Sequence, residues 1–215
     1  MFTQFDIPKE VVDSVMAGTS PPSVYSPYMK SIHNKHVIGI NVAFMIGDWI
    51  DMVFFGDNGF FLKYKAQLAK FPGLKVTCYS GINEVNWVKY LVKDGKKPRG
   101  ISSAPNLVSW NGNSGAAAIS IAAWAGAKRI ILLGFDMALS QDNRQHWHNL
   151  YGKGVIDIKN EKKLMALPFQ RHLIGFPIIA EDANRMGIEI LNASPQSSIR
   201  EFRKVTVKEI LSECN

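Results

Sequence analysis

The chain has 215 residues, of which 47% are hydrophobic and 11% aromatic. This length and composition fit a single domain over residues 1–215 with a sizeable core, and they exclude a disordered chain. The formal net charge of +7 favours anionic partners such as phosphates and nucleotides. Nucleic acid ranks low, because the basic residues are mostly scattered and the chain contains no recognition-helix, zinc-finger or single-strand-binding pattern.

Residues 1–35 are predicted to form a variant N-terminal segment. Asp6 and the following IPKEVVDSVMAG predict a short helix that begins at Asp6, carries Pro8 in its first turn and ends near Gly18. The paired prolines of TSPPS predict a turn or an extended segment. A second short helix, SPYMKSIH, is expected to begin at Ser26.

Apolar runs and helical patterns alternate along the rest of the chain. The predicted strands are HVIGIN, DMVFFGD, LKVTCYS, RIILLGF and GIEILNAS. The predicted helices are GFFLKYKAQLAKF, residues 114–126, residues 160–186 broken at Pro168 and Pro177, and VTVKEILSE. VNWVKYLV is either strand or helix, and DGKKPRG is a turn. This alternation predicts an α/β fold with a Rossmann-like, mostly parallel sheet and helices on both faces.

Polar side chains follow three of the predicted strands. Asn41 ends the first strand, Asp57 the second and Asp136 the fourth. Ligands of open parallel sheets bind at the carboxyl ends of the strands. Asn41 is therefore predicted to be a hydrogen-bonding contact, with a helix cap or turn former as the alternative. Asp57 is predicted either to accept hydrogen bonds from sugar hydroxyls or to bind a metal. The structural alternative is a helix cap or turn former. Asp136 is predicted to bind a ribose hydroxyl, a metal or a catalytic partner.

The Ala-rich helix opens with Asn113, Ser114 and Gly115. Free backbone amides at a helix start attract an anion such as a phosphate, and the Ser114 hydroxyl adds a contact. The alternative is a plain N-cap, with Gly115 allowing close packing. The segment is neither a Walker loop nor the full dinucleotide fingerprint.

Two histidines, His146 and His148, flank Trp147 in the loop after the fourth strand. Residues two apart in an extended segment face the same side, so both imidazoles can converge on one ligand. An imidazole serves as a general base near neutral pH or binds a metal. The alternative is a surface loop with two polar side chains and a buried tryptophan.

The fifth strand is followed by the polar loop NASPQSS, which contains Asn192, Ser194 and Ser197. Such a loop either surrounds a base or a phosphate, or forms Asx and Ser turns before the last helix.

The order and spacing of several segments resemble a known family. They are VIGINVAF, DMVFFGD, NSGAAAISIAAWAGAKRIILLGFDM, HWH and GIEILNASPQSSI, spread from about Val37 to Phe202. Their arrangement resembles that of bacterial sialyltransferase-like glycosyltransferases, a group that includes flagellin-modifying motility accessory factors. Small phage-encoded relatives are the closer likeness. The resemblance implies a Rossmann-like sheet that binds a nucleotide-activated sugar, typically a CMP-sugar, without a metal cofactor.

The resemblance also implies roles for individual residues. Asn41 would contact the nucleotide or the sugar, and Ser114 would contact the donor near its phosphate and carboxylate. The loop from Asn192 to Ser197 would surround the nucleotide. His146 or His148 would deprotonate the acceptor hydroxyl. The opening of the chain departs from the family, which begins with a strand and a glycine-rich phosphate loop. Here a helix is predicted, so the first strand is expected to be missing, and only GTSPPS is similar to that loop.

Three functions are therefore considered. The first is transfer of a sugar from a nucleotide-activated donor with a histidine general base. The second is a non-catalytic phage accessory protein that binds a nucleotide or a partner. The third is a metal-dependent hydrolase built on Asp57, Asp136, His146 and His148.

Cysteine usage and hydropathy predict the compartment. Cys78 and Cys214 have no metal-ligand spacing and suggest no disulfide framework. No apolar run is long enough to span a membrane, and the first residues do not have the pattern of a secretory signal. A cytoplasmic protein, of a bacterial host if phage-encoded, is expected, while the donor sugar, the acceptor and the oligomeric state stay open.

Overall fold

The computed structural model describes residues 30–82, 85–139, 143, 159 and 167–213, and the backbone of residues 13–17. The strands in these ranges are β1 (Asp13–Ala17), β2 (His36–Ile40), β3 (Met52–Phe55), β4 (Leu74–Thr77), β5 (Lys89–Tyr90), β6 (Val92–Lys93), β7 (Leu107–Val108), β8 (Arg129–Leu133), β9 (Glu189–Asn192) and β10 (Arg203–Lys204). The α-helices are α1 (Asn58–Lys70), α2 (Ser114–Trp124), α3 (Phe169–Leu173), α4 (Phe176–Arg185) and α5 (Val207–Glu213), and two 3-10 helices span Asn41–Ile46 and Ser80–Ile82.

Eight of these strands form one parallel sheet in the order β10-β9-β8-β1-β2-β3-β4-β5. β6 and β7 form a separate parallel pair. From β1 the chain moves outward to β5 on one side, and from β8 it moves outward to β10 on the other. The direction of winding therefore reverses between β1 and β8, the arrangement of a Rossmann-like α/β fold. The predicted fold class is confirmed.

β1 corrects the prediction for the N-terminal segment. Residues 13–17 were expected to end a helix, yet they form the central strand, in which Val15 pairs with Val37 of β2 and with Ile131 of β8. The predicted helix is wrong at these residues, and the first strand is not missing. The physical reason is tertiary: two apolar strands offer hydrogen-bonding edges to DSVMA, and pairing on both sides outweighs a local capping signal. Residues 1–12 and 18–29 lie outside the described part of the chain.

The core forms on both faces of the sheet because neighbouring strand residues point to opposite sides. Ile38 and Phe54 pack on the face covered by α2 and α4. Val37 and Val53 pack on the face covered by α1 and α5. α2 is buried from Ser114 to Ala123, so its alanines bring the helix close to the sheet.

The other predicted elements agree with the structure where it describes them. The five apolar runs contain β2, β3, β4, β8 and β9. The predicted stripe of α1, Phe61, Tyr64, Leu68 and Phe71, is buried. α3 begins directly after Pro168, and α4 carries Pro177 in its first turn, so the stretch is divided at Ile174 and Gly175. Residues 160–166 lie outside the described part of the chain. VNWVKYLV contributes β5 and the first residue of β6. Within the described ranges, no helix has the length and apolarity needed to cross a membrane.

Candidate functional site

The candidate site lies where the parallel strands end, and we call this region the carboxyl edge. It comprises the positions that follow β2, β3, β8 and β9, together with the first residues of α2. A Cβ atom built on Gly56, just after β3, would lie 3.4 Å from Ser114 Oγ. A Cβ atom built on Gly115 would lie 2.8 Å from Cε1 of Phe135, just after β8. The start of α2 therefore contacts the ends of both strands.

α2 leaves polar groups unused at its first turn. Asn113 is the N-cap, and its Oδ1 accepts a hydrogen bond of 2.8 Å from the Ala116 amide. The Asn113 Nδ2 donates to the His172 carbonyl at 3.1 Å, which fixes the cap. Among the residues that the structure describes, three groups here have no hydrogen-bond partner: the Ser114 hydroxyl and the backbone amides of Ser114 and Gly115. These three groups are available to an anion at the positive end of the helix dipole.

The loop after β9 is bound to the end of β8. Ser194 Oγ accepts from the Phe135 amide at 2.7 Å, and Ser197 Oγ donates to the Phe135 carbonyl at 2.6 Å. The Ser194 amide donates to Asn192 Oδ1 at 3.0 Å, which is the predicted Asx turn. Both serine hydroxyls thus hold the loop in place. The Nδ2 of the fully buried Asn192, in contrast, has no acceptor within the described ranges.

Asn41 has two unusual features at the end of β2. Its φ of 53° lies in the left-handed region, which asparagine tolerates better than most residues. Its Oδ1 is buried and has no hydrogen-bond donor in the described part of the chain. Backbone strain and an unsatisfied buried acceptor both cost stability and cluster at functional positions. Asn41 therefore fits the predicted ligand contact.

Asp57 and Asp136 occupy the predicted edge with different surroundings. Asp57 is exposed and stands at the N-cap position of α1, but its side chain makes no capping hydrogen bond. The capping role is therefore not carried by the Asp57 carboxylate. Asp136 is half-buried, and its carbonyl accepts from the Ser198 amide at 2.7 Å.

Cys78 lies beside the same edge, and burial raises the pKa of its thiol to about 11, with Lys93 lowering it and Asp57 raising it. We expect Cys78 to stay a thiol at neutral pH and to resist alkylation, because the thiolate is the nucleophile. Iodoacetamide labelling read by peptide mass spectrometry checks this, with urea-unfolded protein as the positive control. Fast labelling of Cys78 in the folded protein would contradict the prediction.

The two predicted histidines lie outside the described residues, so the general-base role of His146 and His148 stays a prediction. The described ranges contain no group of three or more histidine, cysteine, aspartate or glutamate side chains placed to hold a metal ion.

The sequence did not predict a cavity of about 550 Å³ beside the start of α2. Residues 96–99, 110–112, 171, 174 and 178 line it, and none of the predicted site residues belongs to this lining. The basic run KDGKKPR was the available signal, but its pattern predicted only a turn. We call this feature the basic cavity.

Comparison of the chain with protein-family models, with curated proteins and with solved structures finds no match. The class of protein therefore rests on strand order and pairing. It is an α/β protein with a Rossmann-like parallel sheet.

Proposed function

We propose that the protein binds a nucleotide-activated sugar at the carboxyl edge and transfers the sugar to an acceptor hydroxyl, as sialyltransferase-like glycosyltransferases do. One observation carries the proposal. The strand order reverses between β1 and β8 at the edge where α2 begins. Open parallel sheets bind nucleotides at such reversals, because the connections leave on opposite faces and open a crevice between the strand ends.

The central position of β1 supports the resemblance. The family opens with a strand that is followed by a glycine-rich phosphate loop. In this chain β1 is the first described strand and the centre of the sheet, and Gly18, Thr19 and Ser20 follow it directly in sequence. The first strand, which was expected to be missing, is therefore present in the sheet.

In the proposed mechanism the start of α2 receives the donor phosphate. The Ser114 hydroxyl and the amides of Ser114 and Gly115 donate to the phosphate oxygens, and their donation strengthens as the nucleotide departs with its negative charge. Asn41 Oδ1 accepts from the nucleotide or the sugar. His146 or His148 removes the proton of the acceptor hydroxyl, which then attacks the anomeric carbon. This mechanism requires no metal ion.

We expect the wild-type protein to bind CMP and a CMP-sugar, and Ser114→Ala to weaken both affinities by a factor of about 10, because a hydrogen bond to a charged phosphate is lost. Isothermal titration calorimetry measures the affinities. Ser212→Ala is the control, because Ser212 is an exposed serine on α5. Absence of binding to CMP and to CMP-sugars, or an equal effect of the two variants, would count against the proposal.

Turnover distinguishes the alternatives. The transferase is supported if the wild-type protein releases CMP from a CMP-sugar and if His146→Ala or His148→Ala lowers the rate of this release. Binding without turnover favours the nucleotide-binding accessory protein instead. An activity that is abolished by a chelator and restored by a divalent metal favours the hydrolase.

A further inference from the structure

We infer that the basic cavity binds a small phosphorylated ligand with a flat apolar body. Its volume of about 550 Å³ falls within the range of small-molecule sites. The site is separate from the phosphate position proposed at Ser114, and the inference stands without the proposed function.

The charge of the lining selects an anion. Four cationic side chains, Lys96, Lys97, Arg99 and Arg171, contribute to the lining, which contains no acidic residue. Lys97 pairs with the buried Asp182 at 2.8 Å. Within the described ranges, the other three cations have no carboxylate partner. Arginine side chains bind phosphate oxygens through two parallel hydrogen bonds, so Arg99 and Arg171 suit a phosphate group.

Hydrogen bonds to Asn111 hold two of the lining segments together. The Oδ1 of Asn111 accepts from the Gly100 amide at 2.7 Å, and its Nδ2 donates to the Gly100 and Ser109 carbonyls at 2.8 and 3.0 Å. The Asn111 amide donates to the Pro98 carbonyl at 3.0 Å. The loop of residues 96–99, which carries three of the four cations, is therefore fixed before a ligand arrives. This lowers the entropic cost of binding.

Close packing at two glycines holds the third lining segment, which contributes Arg171, Ile174 and Ile178. A Cβ atom built on Gly112 would lie 2.9 Å from the Arg171 carbonyl oxygen, and one built on Gly175 would lie 2.7 Å from Asn111 Oδ1. The chain before α2 thus contacts α3 through the backbone at Gly112, and the start of α4 through the Asn111 side chain. This contact fixes the backbone of Arg171 relative to the loop that carries Arg99.

The rest of the lining is apolar and selects the body of the ligand. Trp110 is half-buried, and Ile174 and Ile178 add aliphatic surface, with Ile174 45% exposed. An indole ring next to aliphatic side chains favours a flat apolar group. Trp110 also packs against Gly56 at the carboxyl edge, so the basic cavity adjoins the nucleotide site proposed above.

The test is calorimetric titration of the full chain with naphthyl phosphate, naphthol and inorganic phosphate. We expect naphthyl phosphate to bind more tightly than the other two. Arg99→Gln combined with Arg171→Gln should weaken its affinity by a factor of about 10 to 100, because two charge-assisted contacts are lost. Both arginines are exposed, so the fold tolerates their replacement. The control combines Lys70→Gln with Lys208→Gln, which removes the same charge on the opposite face of the sheet.

Each remaining outcome overturns the inference. Failure of naphthyl phosphate to bind at millimolar concentration overturns it, as does an equal loss of affinity in the control. Binding of a single-stranded oligonucleotide in place of the small phosphate also overturns it. The Ser114→Ala variant separates this site from the proposed function, because it should keep its affinity for naphthyl phosphate.

Discussion

Asp182→Ala is expected to lower the free energy of unfolding by about 2 to 4 kcal/mol. Asp182 is 2% exposed on α4, and its Oδ2 accepts from the Ile101 amide at 2.7 Å and from Lys97 Nζ at 2.8 Å, while Oδ1 accepts from Arg185. The substitution leaves a buried amide without an acceptor. Lys97 and Arg185 reach solvent, which keeps the loss below that of a fully buried ion pair.

Urea unfolding at several pH values checks this result. Burial alone would raise the pKa of Asp182, but hydrogen bonds from Lys97, Ile101 and Arg185 outweigh burial and lower it. A folded-state pKa below the unfolded value of about 4 stabilises the protein above the unfolded pKa, and this contribution is lost as the pH falls through the folded pKa. The difference between wild type and variant should therefore be largest at neutral pH and shrink in acid.

Two variants serve as controls for the Asp182 experiment. Asp182→Asn keeps an acceptor for the Ile101 amide and should lose less stability than Asp182→Ala. Glu181→Ala changes the neighbouring, exposed carboxylate of the same helix and should stay within about 0.5 kcal/mol of wild type. Equal effects of Glu181→Ala and Asp182→Ala would show that the buried network contributes nothing.

Gly115→Ala is expected to destabilise the protein by about 1 to 3 kcal/mol. The added methyl group would lie 2.8 and 3.0 Å from two ring carbons of Phe135, which is 1% exposed and packed in the core. The overlap outweighs the gain of up to about 1 kcal/mol that alanine has over glycine in a helix. Because α2 must shift, the proposed binding of CMP should weaken as well.

Gly59→Ala is the matched control, since Gly59 and Gly115 are each the second residue of a helix. No atom lies within 4 Å of a Cβ built on Gly59. Gly59→Ala should therefore stabilise the protein by up to about 1 kcal/mol. Thermal and urea unfolding should therefore give changes in stability of opposite sign for the two variants. Stabilisation by Gly115→Ala would mean that α2 does not pack against Phe135.

The sequence predicted the elements whose signal is local. MVFF and RIILL are continuous apolar runs, which is the pattern of strands buried on both faces of a parallel sheet. The stripe of α1 repeats at helical spacing, and Asn113 marks the start of α2. β1 could not be predicted in this way, because five residues after a capping pattern carry too little periodicity. Its conformation comes from pairing with β2 and β8.

The candidate site also combines features that local sequence predicts with features that only the tertiary structure decides. Sequence alone placed Asn41, Asp57 and Asp136 at strand ends and Ser114 at a helix start. This was possible because the local pattern of apolar residues indicates where strands and helices begin and end. Tertiary structure decided which polar groups stay available. It engages Ser194 and Ser197 with Phe135 and leaves Ser114 without a partner among the described residues, since hydrogen bonding depends on neighbours distant in the chain. For the same reason only the folded chain brings the loop 96–99 and Arg171 into one cavity.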